Sequence, residues 1–370
     1  MINKVLRKIG IRLLRRQGYS SYAACQTYDM FWRDLFDRSP VTFRQRLWAY
    51  RRGFLASTIV NAGVTPDNQS DFLPDRCYYK LHPVNNRCSK WIDDKLTMRL
   101  ALAPFADYLP KYYFDLRGGS IHRLMDGSAE YSADLAGILR LLVREKRLAL
   151  KQVMGAGGVG FYKLEADHGA FLVNETRMTG EELTAFLSTL SGYVVTEYLY
   201  PHPALRTIFP NTINSVRLSV LHEAGCEPAF VGAFAKFGTA RSGAVDNVVA
   251  GGVFCGVRIE DGTLFRSGRY EHSLFVPMPV HPDTGVPIQG TLPYWDAIKR
   301  KTLDICNYLP QVEWIGFDIV ITEEGFKFLE LNSHQSSDIL QQHHPLLRAP
   351  ATRRYFHRAL AAKGIRLARN

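Results

Sequence analysis

The chain has 370 residues, of which 46% are hydrophobic and 22% charged, an ordinary composition for a globular protein with room for two or three lobes. No apolar run approaches the roughly 20 residues that span a bilayer, no secretory apolar block begins the chain, and six scattered cysteines form no CxxC pair. We therefore expect a cytoplasmic protein with reduced thiols and no structural zinc. The net charge of +11 indicates an acidic partner: nucleic acid, anionic lipid or a phosphate-rich ligand. No nucleic-acid-binding motif accompanies the charge, so nucleic acid is not expected.

The first seventeen residues, MINKVLRKIGIRLLRRQ, have an amphipathic pattern. Lysines and arginines alternate with apolar side chains at helical spacing, namely Ile2, Val5, Leu6, Ile9 and Leu13. The pattern predicts a basic amphipathic helix. Two interpretations fit it: a surface helix packed on its own domain, or peripheral contact with the anionic inner face of a membrane. The tail RRYFHRALAAKGIRLARN is a second predicted basic helix with the same two interpretations.

Helices and loops are predicted up to about residue 90. KLTMRLALAPFADYLP is then predicted as a helix broken near Pro104, and SADLAGILRLLVREK as an amphipathic helix. After these the apolar period becomes that of strands, in LALKQ, GFYKLE, AFLVNE and YVVTEYL, and two hairpins follow. The helix YWDAIKRKTLDICNYL precedes a last hairpin. The predicted class is α+β with antiparallel sheets.

A glycine-rich loop, MGAGGVG, lies between two of these strands. It contains a GxGxxG pattern, but a strand follows it where a dinucleotide fold needs a helix, and the GK[ST] of a Walker A loop is missing. The prediction is a strand, a flexible glycine tip and a returning strand, whose backbone N–H groups can cover phosphates. Lys151 shares a strand face with Ala149 and Val153 and would offer its charge to the phosphates. The alternative is a mobile surface hairpin.

Three polar residues stand out in apolar segments. Arg217 in SVRLSV pairs with a carboxylate, reaches solvent or clamps an anion. Asn247 in VDNVVAGG is a turn former or a site residue. Glu197, near the end of YVVTEYL, is an exposed acid or a partner for a ribose hydroxyl. The local patterns leave these alternatives open.

The last hairpin joins WIGFDIVIT to FKFLELN. A three-residue turn at Glu323-Glu324-Gly325 would place Thr322 opposite Phe326 and Asp318 opposite Glu330. Alternation then predicts a core face formed by Phe317, Ile319, Ile321, Leu329 and Leu331. The opposite face carries Asp318, Glu330 and Asn332. A two-residue turn would shift the register by one and separate the two carboxylates.

Two carboxylates that face each other across a sheet repel, and a cation between them removes that cost. Asp318, Glu330 and Asn332 offer three oxygen donors, a set that suits Mg²⁺. The alternative is an edge hairpin whose acids point into water. Because replacing one carboxylate relieves the repulsion, we expect Asp318→Asn to abolish magnesium-dependent turnover while thermal stability without metal is preserved or raised.

The order of these motifs carries a resemblance. A helix with DK, a lysine before a glycine loop, a strand ending in Glu, then Arg, Asn with a Gly pair, and D…ELN together resemble the ATP-grasp superfamily. The segments VVTEYLYPHPALRTIFPNTINSVRLSVL, AVDNVVAGGVFCGVRIEDG, HPDTGVPIQG and WIGFDIVITEEGFKFLELN are similar to sugar-transfer-associated ATP-grasp proteins. The stretch DDKLTMRLALAPFADYLP looks like the opening of the module in glutamate-adding peptide ligases. One departure is SHQSSD after Asn332, where many members have Pro-Gly.

The resemblance implies an ATP-grasp fold, in which two α+β lobes hold ATP under a glycine-rich lid, with a helical N-terminal extension. It also implies site roles. Nucleotide contacts fall to Lys95, Lys151, Gly155, Gly157, Gly158, Glu197, Tyr198 and Leu199, with Glu197 near the ribose and the backbone of the last two at the adenine. The implied Mg²⁺ ligands are Asp318, Glu330 and Asn332. Arg217 and Asn247 lie where the family stabilises an acyl phosphate.

The resulting prediction is an ATP- and Mg²⁺-dependent carboxylate–amine ligase, acting through an acyl phosphate in cell-surface polysaccharide or sugar-conjugate biosynthesis. A phosphotransferase on a sugar or small hydroxyl substrate, and a non-catalytic ATP-binding scaffold at a membrane, are the alternatives. The predicted regions are a helical region (1–90), a pre-lid segment (91–145), a lid subdomain (146–200), a C-terminal lobe with the metal site (201–345) and a basic helix (346–370).

Overall fold

A computed structural model describes residues 2–37, 41–155, 157–365 and 367. Up to the first strand the chain is helical, as predicted. The α-helices are α1 Ile2–Arg16, α2 Ser21–Phe36, α3 Phe43–Arg52, α4 Ala56–Ala62, α5 Asp75–Lys80, α6 Ser89–Asp93 and α7 Lys95–Ala101, with short 3₁₀ helices at Gln69–Asp71, Asn86–Cys88 and Ala103–Tyr108. The predicted break near Pro104 is confirmed, because α7 ends at Ala101 and the last 3₁₀ helix begins with this proline in its first turn.

The first sheet is antiparallel. Within the described residues its strands are β1 Tyr112–Arg117, β2 Ser120–Arg123, β3 Arg147–Gln152, β4 Tyr162–Asp167, β5 Ala170–Val173, β6 Thr176–Met178 and β7 Tyr193–Glu197. Their order is β2-β1-β7-β3-β4-β5-β6. Two helices, α8 Leu135–Glu145 and α9 Gly180–Ser188, pack on one face, where Leu148 and Leu150 of β3 are buried against them. Strand alternation therefore turns Lys151 to the other face, as predicted.

The second sheet is also antiparallel and runs in the order β12-β11-β10-β9-β8-β13-β14. The strands are β8 Val216–Leu221, β9 Ala229–Phe237, β10 Val253–Val257, β11 Leu264–Glu271, β12 Leu274–Pro277, β13 Trp314–Thr322 and β14 Gly325–Asn332. The helices α10 Pro203–Ile208 and α11 Trp295–Tyr308 cover one face. The helices α12 Ser337–His343 and α13 Pro350–Ala361 cover part of the other.

The tail helix is part of the protein's core. Tyr355, Phe356 and Leu360 of α13 are buried against Trp314 of β13. Of the two interpretations of this basic helix, packing on its own domain is therefore confirmed. None of the helices in the described ranges has the length and hydropathy needed to cross a bilayer.

The hairpin of β13 and β14 reaches the predicted pairing by another route. Thr322 pairs with Gly325, so the turn has two residues and the predicted three-residue turn is wrong. The register then shifts between Ile319, which pairs with Phe328, and Asp318, which pairs with Glu330. Leu329 is the extra residue of this β-bulge. It leaves the predicted core face, where Phe328 is buried instead, and the bulge restores the pairing that a two-residue turn alone would have lost.

Candidate active site

A cavity of about 360 Å³ lies between the two sheets. Most of the residues singled out from the sequence line it: Lys95, Lys151, Gly155, Gly157, Gly158, Tyr198, Arg217, Asn247, Asp318, Glu330 and Asn332. Glu197 and Leu199 flank Tyr198 in the chain, but they are not among the described residues that line the cavity. The fold therefore brings together groups that are up to 237 residues apart, from Lys95 to Asn332.

Asp318 is the most deeply placed acid of the cavity, at 4% exposed. It lies opposite Arg217 of β8, whose Nη2 donates to Oδ2 at 2.8 Å and whose Nε donates to Oδ1. The Nζ of Lys236 lies 3.6 Å from Oδ1. Burial opposes ionisation here, but the two cations outweigh it and hold the pKa of Asp318 well below its ordinary range. Of the three alternatives for Arg217, the structure thus shows the carboxylate pair.

Glu330 has a different cation partner. The Nζ of Lys95, a 7% exposed residue, lies 3.0 Å from its Oε2 and also donates to the carbonyl of Gly155 at 2.6 Å. Each of the two facing carboxylates is therefore compensated from its own side. The premise that the two carboxylates face each other uncompensated is therefore wrong. We now expect replacement of Asp318 to lower stability, because it would leave Arg217 and Lys236 without their anion.

The donors on β13 and β14 fit a magnesium ion. Asp318 and Glu330 are cross-strand partners, and a carboxylate has lone pairs for more than one partner. The amide nitrogen of Asn332 is buried without a hydrogen-bond partner in the described part of the chain. Opposite it, Gly316 lets Gln335 and Arg217 approach the strand closely, since a Cβ there would come within 2.5 Å of Gln335 Oε1 and 3.0 Å of Arg217 Cδ. Two carboxylates and an amide oxygen are hard donors, and Mg²⁺ completes such a set with water and phosphate oxygens.

Metal binding by a richer ligand set has no support in the described ranges, which contain no group of three or more His, Cys, Asp or Glu side chains arranged to hold an ion. A site on this hairpin therefore depends on the amide of Asn332. It also leaves several coordination positions to a ligand, as is usual for Mg²⁺ sites that bind phosphates.

Lys151 has an electrostatic environment suited to an anion. Burial, together with the positive charge of Lys95, lowers the pKa of its ammonium group to about 8. Unlike the Nζ of Lys95, its Nζ donates no hydrogen bond to a described residue. A half-buried ammonium that lines a cavity without a bonded acceptor is stabilised when an anion binds beside it.

The glycine loop closes over the cavity onto the second sheet's segment 244–249. The amide of Asn247 donates to the carbonyl of Gly157. Gly158 has φ +74°, and a Cβ there would come within 2.8 Å of Val245. The predicted strand, glycine tip and returning strand are present as β3, the loop after it and β4. Ala156 of the tip lies outside the described residues. Asn247 thus joins the lid to the opposite lobe, a contact that the sequence did not indicate.

The segment after β7 connects the two sheets. Tyr198 lines the cavity directly after Glu197, the last residue of β7. The backbone N–H of His202 donates to the carbonyl of Ile321 on β13 at 2.8 Å, which fixes the crossing. Oε1 of Glu197 is buried without a hydrogen bond among the described residues, and its nearest cation is Lys327, 3.8 Å away. This carboxylate retains an unused acceptor beside the cavity.

Several lining residues were missed from the sequence. Lys236 interrupts the apolar strand β9 just as Arg217 interrupts β8, so the same signal would have found it. His334 and Gln335 lie in the loop after β14 and carried no pattern. Burial lowers the pKa of His334 to about 3, and both of its ring nitrogens lack hydrogen-bond partners in the described structure. Its ring stacks on Tyr78 with centroids 4.9 Å apart.

Two antiparallel sheets enclose this cavity under a glycine lid, which is the arrangement expected of an ATP-grasp fold. A family model described as sugar-transfer associated ATP-grasp matches residues 78–347. The chain therefore belongs to the sugar-transfer associated ATP-grasp family. Among curated proteins no match was found.

Solved structures with a related fold are distant. An L-amino acid ligase from Bacillus licheniformis shares 10% identity at a TM-score of 0.37, covering 67% of this chain and 42% of that one. The D-alanyl-alanine synthetase A of Vibrio cholerae shares 11% at 0.39, covering 75% and 62%. A biotin carboxylase from Campylobacter jejuni, in complex with a β,γ-ATP compound, shares 11% at 0.42, covering 76% and 48%. The chain thus spans 42% to 62% of the length of these proteins, and similarities of this size transfer no activity.

Proposed function

We propose that the protein is an ATP- and Mg²⁺-dependent carboxylate–amine ligase that acts through an acyl phosphate. The observation that carries the proposal is the convergence of four basic side chains, Lys95, Lys151, Arg217 and Lys236, around the carboxylates of Asp318 and Glu330. A nucleoside triphosphate and a carboxylate substrate are both anions, and a site that binds them together needs such a surplus of positive charge.

Asp318, Glu330 and Asn332 are the proposed ligands of Mg²⁺. When bound, the ion would offset phosphate charge and hold the γ-phosphoryl group in line with the attacking oxygen. The chain's own cations offset the charge of these carboxylates, since Arg217 and Lys236 pair with Asp318 and Lys95 pairs with Glu330.

The nucleotide would lie along the crossing from β7 to the glycine lid. The backbone of Tyr198 and Leu199 is proposed to contact the adenine, and the unused acceptor of Glu197 a ribose hydroxyl. Lys95 and Lys151 would bind phosphate oxygens, and the lid's N–H groups, including those of Gly155, Gly157 and Gly158, would cover them. The Asn247 contact to Gly157 supports a closed lid, which excludes water from a reactive acyl phosphate.

Arg217 is the proposed stabiliser of the acyl phosphate, and Asn247 supports this step from the lid side. Arg217 lines the cavity while it is bonded to Asp318, so its remaining N–H groups are available to an anion. The loop with His334 and Gln335 lines the cavity on the acceptor side, where the family's Pro-Gly is replaced. We infer that this loop contacts the amine or glycan acceptor, in a cytoplasmic pathway of sugar-conjugate or polysaccharide synthesis at the inner face of a membrane.

The test is a panel of uronic acids and amino acids incubated with ATP, Mg²⁺ and the protein. ADP release and amide formation are read together, and hydroxylamine replaces the amine in a parallel arm. An acyl phosphate gives a hydroxamate, and we expect Arg217→Ala to lower its yield by roughly 10²-fold. Arg300→Ala, which changes an exposed cation of α11, is the control. A phosphorylated alcohol with neither hydroxamate nor amide would establish a kinase instead, and nucleotide binding without turnover on any acid would favour the scaffold.

A further inference from the structure

Helix α1 exposes an apolar stripe to solvent. Four aliphatic side chains are about half exposed: Val5 51%, Leu6 43%, Ile9 51% and Leu13 52%. At about 100° of rotation per residue they lie within about 100° of the helix circumference. The stripe is therefore one continuous surface rather than scattered single residues.

The packed side of α1 is roughly opposite this stripe. Gly10 lies against the ring of Tyr28, where a Cβ would come within 2.2 Å, and Ile11 and Leu14 pack on the start of α2. Arg7 forms an ion pair with Asp29. Because α1 is already attached to the protein through this side, packing on its own domain does not account for the stripe.

The cations of α1 lie beside the stripe. Apart from Arg7, they make no ion pair with any described residue: Lys4, Lys8, Arg12, Arg15 and Arg16. No acidic residue occurs in the sequence before Asp29, so nothing nearby along the chain offsets them. A surface with an apolar row and a basic row side by side complements an anionic bilayer, which offers headgroup charge and an acyl region together. A nucleic acid offers the charge but no apolar phase for four aliphatic side chains.

We propose that α1 docks in the plane of an anionic lipid surface, with Val5, Leu6, Ile9 and Leu13 inserted among the acyl chains and Lys4, Lys8, Arg12 and Arg15 at the headgroups. The packed side of α1 keeps the rest of the protein outside the bilayer. This docking does not depend on the ligase reaction, since none of these residues lines the cavity.

The test is co-sedimentation of the full chain with phosphatidylcholine vesicles that contain about 30 mol% phosphatidylglycerol, against vesicles of phosphatidylcholine alone. We expect at least tenfold tighter binding to the anionic vesicles, weakened by added salt. The combined changes Leu6→Ser, Ile9→Ser and Leu13→Ser should lower binding by at least about tenfold, and so should Lys4→Gln, Lys8→Gln, Arg12→Gln and Arg15→Gln together.

Matched controls lie on other faces of the protein. Val143→Ser with Val280→Ser removes two equally exposed aliphatic side chains, and Arg206→Gln with Arg300→Gln removes two exposed cations; both pairs should bind vesicles as the wild type does. All variants should keep the wild-type unfolding temperature and ATP binding, because the packed side of α1 is unchanged. Wild-type protein that ignores anionic vesicles at low salt overturns the proposal. So does full binding by the triple serine variant, since charge alone would then suffice, or tighter binding to duplex DNA than to lipid.

Discussion

Replacing Asp318 by Asn is expected to lower the free energy of unfolding by about 3 kcal/mol at neutral pH, even without nucleotide or metal. The side chains of Asp318 and Arg217 are only 6% and 12% exposed, so the pair is little screened by solvent. Removing one partner of a buried pair costs about 3 to 5 kcal/mol, and the lower end applies because Asn keeps one oxygen that accepts from Arg217. Thermal unfolding of the ligand-free protein measures the loss.

The pH dependence gives this prediction a second readout. The folded-state pKa of Asp318 lies below the unfolded value of about 3.9. Its ionisation therefore stabilises the fold fully above about pH 5, and this stabilisation is lost as the pH falls through the folded-state pKa. The difference between wild type and Asp318→Asn should be constant from about pH 5 to pH 8 and shrink below about pH 4.

An exposed pair provides the control. Asp304 accepts from Lys301 at 2.7 Å but is 53% exposed, so Asp304→Asn should change stability by less than about 0.5 kcal/mol. If Asp318→Asn is as stable as the wild type at neutral pH, repulsion from Glu330 outweighs the pairing with Arg217, and the electrostatic account of the site is refuted.

Three further predictions concern the metal site, Lys151 and the lid. Glu330→Gln should abolish magnesium-dependent ATP turnover while the fold survives, and near-normal activity would exclude the metal assignment. Lys151→Met should raise the stability of the ligand-free protein below about pH 8, where the wild type holds a charge that burial opposes. It should also weaken ATP binding measured by calorimetry. A destabilised variant would contradict the argument that burial opposes the charge of Lys151. Gly158→Ala should raise the KM for ATP by roughly tenfold or more, because the new Cβ meets Val245. Gly169→Ala, also at positive φ but in open space, is the control and should leave KM unchanged. Equal effects would show that backbone strain and not lid closure is responsible.

Local patterns predicted the parts of the site that local geometry decides. The face of Lys151 follows from strand alternation, because Leu148 and Leu150 are buried on the opposite face. The rejection of a dinucleotide loop followed from the strand that comes after the glycine loop. The ion-pair partners of the charged site residues could not be predicted from local patterns. Arg217 and Asp318 are 101 residues apart, and only the strand order β8-β13-β14 makes them neighbours. Without that order, only the repulsion between the two facing carboxylates could be taken into account. The sequence therefore predicted that Asp318→Asn preserves or raises stability, whereas the structure predicts that it lowers stability.

The pairing of Asp318 with Glu330 was predicted correctly from a wrong turn. Sequence spacing constrains the total number of residues between two paired positions, but it does not say where an unpaired residue is placed. The chain places it at Leu329, inside the strand, and not in the turn. Lys236 and His334 show the remaining gap: a lone polar residue on β9 and a loop without a motif become site residues only through tertiary contact.

The bulge at Leu329 also changes which side chains a single strand can offer to a ligand. In a regular strand neighbours point to opposite faces, so a carboxylate that faces the cavity would have a core residue on each side. Here Leu329 and Glu330 both line the cavity. An apolar surface and a charged ligand thus come from consecutive residues. Charge pairing and cavity shape are consequently separable in this hairpin: a chain lacking only Leu329 would have the same two carboxylates opposite each other, beside a cavity without its aliphatic wall at that point.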